Sequence, residues 1–146
     1  MALAPQDDTL VVEKSRWPLL VLFMPPVVTA DTMRALVAAT EGAYERNVRF
    51  GVIIDTSRVV KFPTAPAREI LSNWVADQRR AERERRLTVA TAVILTSGPL
   101  RALTAAINLV RRSPAPQHWT GTFAEADDWM TRRLTDEGIR IDPRRT

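Results

Sequence analysis

Three short apolar runs, at residues 19–24, 48–56 and 87–96, limit what this chain can fold into more than any other feature. Each is far below the roughly 20 residues of a membrane span. Each is also too continuous in apolar and β-branched residues to keep one face in water, which is the pattern of a strand covered on both faces of a sheet. The segments between them repeat apolar residues at spacings of three and four, so helices supply the cover. Strands alternating with such helices call for a mostly parallel or mixed sheet.

The middle run points to a working surface. Gly51-Val52-Ile53-Ile54 ends on Asp55 and opens through Thr56, Ser57 and Arg58 into Val59-Val60-Lys61-Phe62-Pro63-Thr64. In open α/β sheets ligands and partners gather at the carboxyl ends of the strands, so Asp55, Thr56, Ser57 and Thr64 mark the first place to look for function.

Around this centre, residues 9–15 are a half-exposed strand that Arg16-Trp17-Pro18 separates from the apolar run at 19–24, a hairpin stopped by Pro25-Pro26. From a cap at Thr29 or Asp31, residues Met33, Leu36, Val37, Thr40 and Tyr44 predict an amphipathic helix ending near Asn47, with Arg34, Glu41 and Glu45 on its outer face. Thr64 is a good N-cap with Pro66 in the first turn, and Ile70, Leu71, Trp74, Val75 and Gln78 form the inward stripe of a second helix. Its tail, residues 78–86, is dominated by charge. After the third buried run, Ser97-Gly98-Pro99 turns into a helix presenting Leu100, Leu103, Ile107 and Val110 on one face, broken by Pro114 and Pro116. Residues 117–122 form an edge strand. Phe123, Ala126, Trp129, Met130 and Leu134 line a last helix that stops at Gly138 before a basic tail. The order is β-β-α-β-α-β-α-(β)-α, a mixed sheet of four or five strands with about four helices, in one domain over residues 1–146 with its core at about 9–138.

Composition excludes several chemistries. Without Cys there are no disulfides, thiolate metal sites or Cys nucleophiles, and the single His118 removes most zinc and His-based triad arrangements. No basic and apolar leader opens the sequence, so a cytoplasmic protein off the membrane is expected. The net charge of +4, from 21 Lys and Arg against 17 Asp and Glu, is modest because the signs are interspersed.

Each remaining feature has a plain reading that outweighs a functional one. Asp55 has no second acid near it in sequence, and a lone strand-end carboxylate more often pairs with a backbone N–H or with an Arg such as Arg58 than acts as a base or ligand. The adjacent pairs Asp7-Asp8 and Asp127-Asp128 diverge on any regular element and read as solvated faces. Ser97-Gly98-Pro99 has one Gly, far short of a phosphate loop. His118 reads as a surface or packing residue. Trp74 and Trp129 fall in apolar stripes and read as core, whereas Trp17 and Trp119 stand in turn and edge contexts suited to a groove rim. The run Arg79-Arg80-Ala81-Glu82-Arg83-Glu84-Arg85-Arg86 reads as a solvated helix end and not as a nucleic-acid site, because Glu82 and Glu84 dilute it and no aromatic interleaves.

The order of elements, the strand ending Val52-Ile53-Ile54-Asp55, the apolar step Val59-Val60-Lys61-Phe62 before a helix, and the closing Phe123-Ala124-Glu125-Ala126-Asp127-Asp128-Trp129-Met130 together resemble the SpoIIAA-like group of the STAS fold, named for sulfate transporters and anti-sigma-factor antagonists. The resemblance covers roughly residues 10–134. It implies a compact α/β sandwich used in bacteria mainly as a protein-interaction and signalling module. In the antagonists the strand-end Asp and an apolar step lead to an Asp-Ser-Ser/Thr-Gly turn, whose helix-start hydroxyl is phosphorylated by a partner kinase. Asp55 and Phe62 match the strand-end acid and the step. Thr64 falls on the Asp position, and Ala65 and Pro66 occupy the hydroxyl positions, so the switch is absent in its usual form. Thr64 is the one offset candidate for phosphorylation, and its plain reading is an N-cap.

The resulting expectation is a non-enzymatic regulatory module without cofactor or metal. It docks a partner protein or a second copy through Asp55, Thr56, Ser57, Arg58, Phe62 and Thr64. A module binding a small apolar or lipid-like ligand near Trp74, Leu103 or Ile107 is the alternative, and an enzyme centred on Asp55 and Thr64 ranks last.

Overall fold

The computed structural model describes residues 8–96 and 115–141. Five strands form one sheet in the order β1-β2-β3-β4-β5: β1 (Val11–Glu13), β2 (Leu19–Phe23), β3 (Phe50–Asp55), β4 (Thr88–Ile94) and β5 (Gln117–Thr120). β1 runs antiparallel to β2, as the opening hairpin predicts, and β2 through β5 are parallel. The helices among the described residues are α1 (Ala30–Glu45), α2 (Ala65–Ala76), α3 (Gln78–Leu87) and α4 (Phe123–Asp136).

The apolar runs are continuous because alternate residues serve two cores. On one face Leu20, Leu22, Phe50, Val52 and Val93 pack with Met33, Leu36 and Tyr44 of α1, and with the part-buried Ile70, Leu71 and Trp74 of α2. On the other, Leu19, Val21, Ile53, Ala92 and Ile94 pack with Ala126, Met130 and Leu134 of α4. Gly51 lies on this second face, where a β-carbon would stand 2.5 Å from the Met130 sulfur. The glycine lets α4 approach β3.

The helix ends follow their caps. Thr29 caps α1 in a reciprocal box with Thr32, and both reach back to Asp8: the Thr32 hydroxyl donates to its carbonyl at 2.6 Å and the Thr29 hydroxyl to its carboxylate at 3.2 Å. Asp8 is therefore an anchor for the α1 start, not part of a solvated face. Gly138, at φ +75°, closes α4, with Gly138 N–H donating to Thr135 O at 2.9 Å and Ile139 N–H to Leu134 O at 2.8 Å.

Several expectations are corrected. The second helix does not run into its charged tail. Asp77 leaves the helical region, and its carboxylate accepts the backbone N–H groups of Arg79 and Arg80 at 2.8 and 3.4 Å, which starts α3 and leaves Gln78 exposed. Asp127 is not solvated either, since its carboxylate accepts from Arg16 at 2.7 Å in a largely buried pair joining the β1–β2 turn to α4; Asp128 is exposed. Trp17 rims no groove: it stacks on Phe50 at 5.3 Å between centroids with the Arg46 guanidinium 4.5 Å from its ring, and Trp119 packs on the first core. The helix expected to carry Leu100, Leu103, Ile107 and Val110, with the turn at Ser97-Gly98-Pro99, lies outside the described residues.

The tail run is only partly solvated. Arg80 is 5% exposed. It faces Glu84 at 3.3 Å, donates to Val75 O at 3.3 Å, and holds its guanidinium 5.0 Å from the Trp74 ring centroid. Glu41, expected on the outer face of α1, accepts from Trp74 Nε1 at 2.7 Å and pairs with Arg83, whose guanidinium lies 5.1 Å from the Tyr44 ring centroid. This polar seam joins α1, α2 and α3.

Candidate docking edge

Parallel pairing aligns four strand ends on one side of the sheet. Phe23 pairs with Asp55, Asp55 with Ile94, and Ile94 with Thr120. The pairing extends into the loops, where Met24 N–H donates to Asp55 O at 2.8 Å, Thr56 N–H to Ile94 O at 3.1 Å and Leu95 N–H to Thr120 O at 2.9 Å. The segment from Thr56 to Thr64 leaves from the middle of this edge.

Its first residues are used internally. Asp55 Oδ1 accepts the Ser57 backbone N–H at 2.8 Å, and Val59 N–H closes a turn onto Thr56 O at 3.0 Å. No ionisable side chain hydrogen-bonds Asp55 among the described residues. The Thr56 hydroxyl donates to Ile94 O and so is tied to β4 instead of being presented outward. Val59 then turns into the first core.

The remainder of the segment is held outward. Val60 N–H donates to Pro26 O and Thr64 N–H to Val28 O, both at 3.0 Å, so the stretch between them is pinned at each end to the loop that follows β2. Between the pins, Val60 is 74% exposed and Phe62 is 52% exposed. Ser57, Arg58, Lys61 and Thr64 are exposed as well. The Thr64 hydroxyl accepts Ala67 N–H at 3.3 Å and caps α2, and Arg68 Nη1 reaches back to Pro63 O at 3.4 Å.

The expected residues thus meet on one edge but divide by use. Asp55 and Thr56 build the turn, Thr64 starts the helix, and Ser57, Arg58 and Phe62 face solvent. Sequence reasoning placed Val60 and Lys61 only in an apolar step and left Arg68 unassigned. A turn at Thr56 that sends Val59 inward sets which side of the loop each later residue takes, and the alternation Val59, Val60, Lys61, Phe62 does not reveal it.

The other candidates are accounted for elsewhere. His118 is an exposed packing residue, its ring stacked 4.8 Å from Trp129, which also carries the Arg133 guanidinium at 5.3 Å. Trp74 belongs to the polar seam, and Leu103 and Ile107, named with it for a ligand pocket, lie outside the described residues. No helix among the described residues is long and apolar enough to cross a membrane.

In structure the chain is similar to an uncharacterized protein of the DUF3478 family with a SpoIIAA-like fold from Shewanella loihica PV-4, at a TM-score of 0.60 and 14% identity, covering 89% of this chain and 98% of that one. No protein-family model matches the chain, and neither does the sequence of any curated protein. The chain has a SpoIIAA-like fold.

Proposed function

We propose that this chain is a non-enzymatic, STAS-type regulatory module of the bacterial cytoplasm that docks a partner protein through the loop between β3 and α2. The observation that carries this reading is the exposure of Val60 and Phe62 on a backbone pinned at both ends. A loop free to collapse would fold two such side chains against the neighbouring core; this one keeps them in water, and exposed apolar groups in a fixed geometry mark contact sites. Asp55 and Thr56 shape the loop, Phe62 and Val60 supply the apolar contact, and Arg58 orients the partner. Thr64 works as a helix cap in this reading and not as a phosphorylated switch.

The test compares Phe62→Asp and Arg58→Glu with the parent chain. Both variants should lose a partner captured from the native cell extract while their circular dichroism melts stay nearly unchanged, because neither side chain is buried. Retention of the partner by both would end the proposal.

A further inference from the structure

We infer that the docking edge receives an acidic, apolar-anchored segment of a different protein, and not a second copy of this chain. The inference rests on the docking reading above and specifies its partner.

Charge along the loop that carries the two exposed apolar side chains has one sign. From Ser57 to Arg68 the sequence contains Arg58, Lys61 and Arg68 and no acid. All three are exposed, and none forms an ion pair among the described residues. The flanking acids do not offset them at the loop: Asp55 is turned onto the Ser57 N–H, and Glu69 stands beyond Arg68 on α2. Arg68 leans back onto the carbonyl of Pro63, the residue that follows Phe62.

This distribution decides against self-association through the same edge. Closed dimers use one patch on both subunits, so a two-fold contact centred on this loop would bring the three cations of each copy towards those of the other. Like charges facing across an interface oppose association, and the same cations attract an acidic partner and speed its arrival.

The backbone favours a peptide over a lipid surface. Lys61 N–H and Phe62 N–H have no hydrogen-bond partner among the described residues. Unpaired backbone groups are costly in hydrocarbon, whereas a peptide segment supplies carbonyls for them and a counter-charge for Arg58, Lys61 and Arg68. A nucleic acid would meet the cations but leave Val60, the more exposed apolar side chain, without a role.

The test pans random peptides displayed on phage against the immobilised full chain at low salt. Enriched peptides are then titrated by fluorescence anisotropy against the parent, Val60→Ser/Phe62→Ser, and the reversal Arg58→Glu/Lys61→Glu/Arg68→Glu, with Arg58→Gln/Lys61→Gln/Arg68→Gln as a milder control. The expected result is peptides of net negative charge containing a large apolar residue. Their affinity should fall about tenfold or more in the apolar variant and in the reversal, less in the neutral control, and severalfold at high salt. Peptides that need Val60 and Phe62 but show no acidic excess overturn the charge inference and leave the docking reading standing. Peptides indifferent to both sets of changes overturn the two together. Cosedimentation with phosphatidylglycerol vesicles, binding to duplex DNA, or a sedimenting dimer, each abolished by the reversal, overturns the acidic-peptide assignment. Circular dichroism of every variant verifies the fold.

Discussion

At the scale of single residues, two positions carry structural roles that a single substitution can test. Gly51 sits mid-strand, where glycine is normally a weakness, because the second face of the sheet there belongs to Met130 and Leu134. Adding a methyl group sets a β-carbon within 2.5 Å of the Met130 sulfur, and Met130 is fully buried, so the thioether has little room to retreat. Gly51→Ala is expected to destabilise the chain by about 1–3 kcal/mol, the usual range for overpacking a core. Urea melts of Gly51→Ala, Met130→Ala and the double variant check this: the two costs should fall short of additive, since the second change removes the atoms the first one strikes. Thr64 is the simpler case. Its hydroxyl accepts Ala67 N–H, so Thr64→Ala should cost about 1 kcal/mol by chemical denaturation, with Thr64→Ser close to the parent. A Thr64→Ala variant as stable as the parent would remove the cap from the account.

At the scale of elements, α3 shows how a charged run becomes part of an interior. Asp77 restarts the helix after α2, and Arg80 and Leu87 are thereby turned inward while Arg79, Arg85 and Arg86 stay in water. Arg80, Glu84, Trp74, Glu41 and Arg83 are then linked contact by contact, and the last of them lies over the Tyr44 ring. Burial pushes the Tyr44 phenol up to about 12; the nearby Glu84 carboxylate adds to the rise, and the charge and hydrogen bond of Arg80 and a hydrogen bond with Thr88 oppose it. The sign for stability follows. The folded state holds the phenolic proton more tightly than the unfolded chain, whose phenol ionises near 10, so this contribution is whole below pH 10 and is lost as pH rises towards 12. Tyr44 is the chain's single tyrosine, so its ultraviolet absorbance change on ionisation is unambiguous. The native chain should ionise near 12 and the urea-unfolded chain near 10, and Tyr44→Phe should lose less stability than the parent across that window. Ionisation of the native chain at the unfolded value would show that the seam does not shield the phenol.

At the scale of the whole molecule, what could be read beforehand was what depends on period and punctuation. The apolar runs, the helical stripes of α1 and α4, the caps at Thr29 and Thr64 and the stop at Gly138 all follow from local spacing, and so did the strand-end edge. Tertiary partners were not legible. Arg16 and Asp127 lie far apart in sequence, and nothing near either announces a buried pair. The split at Asp77 was hidden because a charged, helix-favouring stretch looks the same whether it continues one helix or begins another. The outward turn of Val60 depends on a backbone bond to Pro26, a contact across the sheet edge.

The alternation that made the strands recognisable also sets how the molecule must unfold. β2, β3 and β4 give alternate side chains to the two cores, so the sheet is a shared wall: losing α4 exposes Ile53 and Ile94 on the same strands that carry Phe50, Val52 and Val93 on the other side. Leu36→Ala in the α1 layer and Leu134→Ala in the α4 layer should each cost about 2–5 kcal/mol, as large-to-small changes in a core do. Because the wall is common, each should shift one transition of the whole chain. The check uses Trp129→Phe as background, which removes the reporter on α4 and leaves Trp17, Trp74 and Trp119, all packed against the first core. Adding Leu134→Ala should lower the midpoint seen by these three tryptophans as far as the midpoint seen by far-ultraviolet circular dichroism, although none of them belongs to the core that holds Leu134. A fluorescence midpoint left in place while the circular dichroism midpoint falls would mean that the two layers unfold separately and that the sheet does not couple them.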